Sequence, residues 1–128
     1  MAGITRGPAD FAAMLAWMTL TACAPAPPAS SKIAIDLTSV NADGLRGPAT
    51  GLRAVHYEFC IPGEARYATE VRGIDATAQF QRGSRGRIGC TNGQTLVLGN
   101  THQRGYREVL ERLAALPYVN RIQESHFE

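Results

Sequence analysis

His56, Glu58 and Cys60 stand at alternate positions of one run, and Glu124 and His126 repeat that spacing near the C-terminus. Alternate side chains of a strand share a face. Two such strands side by side would offer nitrogen, oxygen and sulfur donors to a metal ion, with His56, Glu58 and His126 as candidate ligands. The same alternation is what a solvated sheet face shows. A thiol nucleophile needs a base within hydrogen-bond reach. His56 lies about 13 Å along a strand from Cys60, so these two do not make a catalytic pair. His102 sits near a helix start, where it serves as a capping or surface residue. With no nucleophile–base pair and no phosphate loop, the residues point to a binding protein without a catalytic centre or cofactor.

A basic stretch is the second chemical feature. Arg82, Arg85, Arg87, Arg104 and Arg107 fall in a segment, Phe80 to Arg107, that contains no acidic residue. Gly83 and Gly86 free the backbone there to approach an anion. The patch is expected to contact an acidic protein surface, an anionic polymer or lipid head groups. The chain as a whole is close to neutral, with 13 basic and 11 acidic residues in 128 and a net charge of +2. A strongly basic nucleic-acid module would show a larger imbalance. Hydrophobic residues at 45% and charged residues at 19% exclude a wholly disordered chain and a multi-span membrane protein.

The elements that position these groups follow from periodicity. Leu52 to Ile61 alternates as a strand, with Val55, Tyr57, Phe59 and Ile61 on one side and Ala54, His56, Glu58 and Cys60 on the other. Pro62-Gly63-Glu64 opens a helix whose Tyr67, Val71 and Ile74 share a face, and Gly73 and Asp75 stop it. Ala78 to Gln81 is a short strand. Arg82 to Arg87 is a Gly/Arg loop, and Arg87 to Cys90 resumes a strand. Asn92-Gly93 makes a hairpin turn into the strand Gln94 to Gly99. Asn100 or Thr101 caps a second helix, carrying Tyr106, Val109, Leu110 and Leu113 on one face, and Pro117 ends it. Tyr118 to Phe127 is the last strand.

This order predicts an α+β domain of ferredoxin-like βαββαβ form, an antiparallel sheet with two helices on one face. Right-handed crossovers place the third strand beside the first and the last strand on its other side. The expected core is Val55, Tyr57, Phe59, Val71, Ile74, Leu96, Leu98, Val109, Leu110, Leu113 and Ile122. A sheet of this type also serves the RRM, which stacks bases on aromatic residues of its open face. Here Tyr57 and Phe59 share the apolar face, and no nucleic acid is expected.

Cys60 and Cys90 are candidates for a disulfide. In the expected topology they lie two strands apart, about 10 Å, whereas a bridge requires Cα atoms about 5.5 Å apart. Either the strand ends bend together, or the strand order differs, or both thiols are free.

The N-terminal third reads differently. One basic residue, Arg6, precedes an apolar run from Phe11 to Ala22, and Leu20-Thr21-Ala22-Cys23 closes it. The run is 12 residues long, and a membrane-spanning helix needs about 20. These residues resemble the signal peptide and lipobox of bacterial lipoprotein precursors. The resemblance implies cleavage before Cys23, a diacylglycerol on its thiol and attachment to the membrane through that lipid. Ala24, in place of the Asp that retains such proteins at the inner membrane, implies the periplasmic side of the outer membrane. A soluble secreted or periplasmic protein is the alternative. Ala24 to Ser31 holds three prolines and no periodic apolar face, as a semi-rigid tether does. Ile33 to Leu37 could be an edge strand, and Asn41 to Gly51 a loop. The expected division is therefore 1–22 signal, 23–51 lipidated Cys, tether and edge strand, and 52–128 folded domain.

Leu113 to Phe127 resembles the last helix and strand of subtilisin-type propeptides and their inhibitor relatives. That family is ferredoxin-like and binds a protease through its sheet and C-terminal tail. Two functions are consistent with these observations: a lipid-anchored envelope module that contacts a partner, or a small-ligand or metal-binding protein using the open sheet face.

Overall fold

A computed structural model describes residues 28–126, together with the isolated Gly3. The expected leader and Cys23 lie outside these residues. The described residues form a mixed α+β domain with a five-stranded sheet, a small two-stranded sheet and two α-helices.

The strands are β1 (Ile33–Ala34), β2 (Leu45–Arg46), β3 (Arg53–Ala54), β4 (His56–Pro62), β5 (Gln79–Arg82), β6 (Gln94–Asn100) and β7 (Ile122–Glu124). Helix α1 spans Ala65–Ile74 and α2 spans Tyr106–Ala115. The main sheet runs β1-β7-β4-β6-β5, and β2 pairs with β3. All neighbours in the main sheet are antiparallel except β1, which lies parallel to β7.

Tyr57, Phe59 and Ile61 alternate along β4, are fully buried, and form the centre of the core with Val71 of α1 and Leu110 and Leu113 of α2. Across the β4–β6 register, Phe59 faces Val97 and Tyr57 faces Gly99. Val97 therefore belongs to this core. Leu96 and Leu98 point to the other side of the sheet, a correction to the expected core. The alternation along β6 was legible, but both sides carry apolar residues, so it did not identify the inner one. Gly99 is required where it stands: a Cβ there would sit 2.5 Å from the Tyr57 ring.

The described residues before Leu52 pack with the domain, so it begins earlier than Leu52. Ala29–Lys32 forms a 3-10 turn, and the Lys32 ammonium donates to the Leu116 carbonyl at 3.3 Å. Ile33, Ile35 and Leu37 pack against the core, and Val40 is inside it. The Tyr106 hydroxyl donates to the Asn41 carbonyl at 2.9 Å. Thr101 fastens the β2–β3 hairpin, since its hydroxyl donates to the Gly44 carbonyl at 2.6 Å and accepts from the Val55 amide at 2.9 Å. Ala29 to Ser31, expected as the end of a tether, form part of the 3-10 turn.

Three further boundaries differ. Arg87 to Cys90 is a turn, not a strand. Gly105, with φ of 66°, caps α2 in place of Asn100 or Thr101. The last strand is only Ile122–Glu124. At the end of α1, buried Asp75 accepts from the Thr77 amide and hydroxyl through Oδ1 and from the Tyr57 hydroxyl through Oδ2. Burial, then the Asp75 carboxylate, pushes the Tyr57 phenol well above its usual value.

Candidate functional site

The sheet face away from the helices carries Glu58 and Cys60 of β4 and Leu96 of β6. It is not open there. Residues 83–90 turn back across it, and Cys90 is joined to Cys60 by a disulfide with Cα atoms 5.6 Å apart. The expected 10 Å separation assumed that Cys90 lay in the plane of the sheet. It lies above the sheet, so neither a bent strand nor a changed strand order is needed.

Glycine and a buried carboxylate shape this cover. The Cys90 and Gly89 amides donate to the Arg85 carbonyl at 2.7 and 3.1 Å, closing a tight turn. Gly86, at φ of 61°, brings its backbone so close that a Cβ would lie 2.7 Å from Leu96 Cδ1 and 3.0 Å from Glu58 Oε2. Glu58 Oε1 accepts the Ile88 amide at 2.7 Å and the Gln123 side-chain amide at 3.0 Å. At Gly86 the loop backbone closes on the protein's own Glu58, whereas a Cβ at Gly83 would meet nothing within 4 Å. The expected contact of this loop with an external anion is a separate matter from this internal one.

Arg82, Arg85 and Arg87 are exposed on and beside this loop. Arg104 and Arg107 are elsewhere. Arg82 pairs with Thr95 at the start of β6, and Arg104 follows Asn100 at its end, about 20 Å away along the strand. Arg107 donates to the Leu37 and Val40 carbonyls at 3.0 Å and covers the Tyr106 ring. The expected five-residue patch is therefore two groups, one on the covering loop and one on the far end beside residues 37–45.

The metal candidates also separate. Glu58 is committed beneath the loop and Cys60 is in the disulfide. His56 and His126 reach the other end of the sheet, where the Ser125 amide donates to the His56 carbonyl at 2.8 Å. Among the described residues no group of three His, Cys, Asp or Glu side chains is arranged to hold a metal ion. His102 is exposed, and its amide donates to Asn100 Oδ1 at 3.0 Å.

At this far end an open cleft of about 760 Å³ lies between the β2–β3 hairpin and the ends of β4 and β7. Arg46 crosses it to Glu124 in a two-pronged ion pair. These hydrogen bonds hold the Glu124 carboxyl below the usual carboxylate range and raise the Arg46 guanidinium. His126 Nδ1 is 3.8 Å from the same carboxylate. No local pattern marks Arg46: it lies 78 residues from Glu124, in a stretch that reads as loop.

Compared with known proteins, the chain matches no family model, no curated sequence and no solved structure.

Proposed function

We propose that this chain is a lipid-anchored protein of the bacterial cell envelope, and that its domain acts by contact with a partner rather than by catalysis. The Cys60–Cys90 disulfide is the observation that carries the reading. Such bonds form and persist in oxidising compartments and are rare in the cytosol. Cys23 is then the one remaining cysteine, in the lipobox-like Leu20-Thr21-Ala22-Cys23.

The strand order supports a ferredoxin-like domain. In β7-β4-β6-β5 the first and third strands of the βαββαβ unit lie side by side, each followed by a helix, and β1 is an addition at the β7 edge. The contact surface we assign is the covering loop, where Arg82 and Arg85 are exposed on a segment fixed by the disulfide and by Glu58. A fixed loop loses little freedom on binding, and its charge suits an acidic protein or polymer of the envelope. Two other uses of the sheet are disfavoured. Its outer face is covered over Glu58, Cys60 and Leu96, which opposes protease binding across that face in the manner of subtilisin propeptides. Tyr57 and Phe59 are fully buried, which removes the stacking platform an RNA-binding sheet needs.

Mass spectrometry of the native N-terminus tests the placement. A diacylglycerol-modified Cys23 as first residue is expected; intact protein with its leader in the cytosol overturns it. A pull-down from solubilised envelope at several salt concentrations tests the contact. A partner lost at high salt and in Arg82→Gln/Arg85→Gln is expected, and specific capture unaffected by either change overturns the assigned surface.

A further inference from the structure

The cleft between the β2–β3 hairpin and the ends of β4 and β7 is lined by basic side chains from four separate parts of the chain. Arg46 comes from β2, Arg53 from β3, His56 from β4 and His126 from beyond β7. We propose that it is a binding site for a small soluble oxyanion, a molecule bearing a phosphate or carboxylate group, held by Arg53 with His126 as a second donor.

Charge, shape and rigidity each support this assignment. Among the described residues the carboxylate in the lining is Glu124, whose two oxygens accept from Arg46 and one of which lies 3.8 Å from His126 Nδ1. It therefore does little to neutralise Arg53, which is exposed and has no carboxylate partner among the described residues. A guanidinium presents its donors as a planar fork that matches carboxylate and phosphate oxygens. The His126 imidazole, in the same lining, adds a ring N–H donor. The rest of the lining is made of small and aliphatic residues, Gly47, Pro48, Gly51, Ala54, Val55 and Ser125. The volume is in the range of small-molecule clefts. The Arg46–Glu124 pair ties the hairpin to β7 and holds the two walls in place before a ligand arrives, which lowers the ordering cost of binding.

The purified full chain is to be titrated separately with inorganic phosphate, succinate, sodium chloride at matched ionic strength, and phosphatidylglycerol vesicles. Binding is followed by the amide resonances of Gly47, Gly51 and Ser125. Saturable shifts at these positions with phosphate or succinate, absent with chloride, are expected, and the better of the two probes identifies the ligand group. Arg53→Gln should weaken binding about tenfold, the loss of one charge-assisted hydrogen bond. His126→Gln should also weaken it, and Arg85→Gln, on the opposite end, should leave it unchanged. Equal shifts with chloride, undiminished binding in Arg53→Gln, or a response to vesicles alone overturns the proposal. None of these results depends on whether Cys23 carries lipid.

Discussion

The Ile88 amide donates to Glu58 Oε1 at 2.7 Å across 30 residues of chain, and this bond, with the neighbouring disulfide, turns an outer sheet face into a covered one. Glu58 is 2% exposed, so the carboxylate is held by the backbone that hides it. Replacing Glu58 by Ala leaves the Ile88 and Gln123 donors without their acceptor. The expected cost is about 1–3 kcal/mol, read from urea unfolding, with faster amide exchange at Ile88. Unchanged exchange there would refute the role given to Glu58.

The disulfide closes a loop of sequence separation 30. By the chain-entropy estimate, removing it in Cys60→Ser/Cys90→Ser costs about 3–4 kcal/mol. Exchange protection should fall first over 85–90, where the turn loses its covalent fastening. A double variant as stable as the parent would show that Glu58 and Leu96 hold the cover unaided.

Two glycines should respond in opposite directions to the same change. A Cβ at Gly99 meets the Tyr57 ring at 2.5 Å and Asp75 Oδ2 at 2.7 Å, so Gly99→Ala should destabilise by about 1–3 kcal/mol. Gly73 lies within α1 and has nothing within 4 Å of the added atom. Gly73→Ala should therefore stabilise by up to about 1 kcal/mol through helix propensity. Thermal melts of the two variants check both signs.

The Arg46–Glu124 pair sets an acid limb. Hydrogen bonds from Arg46 lower the Glu124 carboxyl in the folded state, so the unfolded chain takes up that proton at higher pH. The stabilisation is complete above the unfolded carboxylate range and is lost as pH falls through the depressed folded value. Urea midpoints measured between about pH 5 and pH 2 should drop more steeply for the parent than for Glu124→Gln. Parallel curves would mean that the pair adds no pH-dependent stability.

Much of the framework was legible from local pattern. Tyr57, Phe59 and Ile61 at period two, and Tyr67, Val71 and Ile74 or Tyr106, Leu110 and Leu113 at helical spacing, are properties of neighbouring residues and need no knowledge of the fold. Pro117 announced the end of α2, and Asp75 that of α1. The bonds of Asp75 to Thr77 and to Tyr57 came only from the structure.

What the tertiary structure alone decided concerns partners far apart in sequence. Leu96 and Val97 are both apolar, and only the placement of the helices and the covering loop determines which side each one faces. Gly86 is compatible with a solvated loop or with a close contact, and the position of Glu58 chooses the contact. Ile33 and Val40 join the core because α2 and β7 leave apolar surface there to be covered. Periodicity is a short-range property of the chain, whereas burial depends on which distant surface arrives opposite a residue, and that is determined when the whole domain closes.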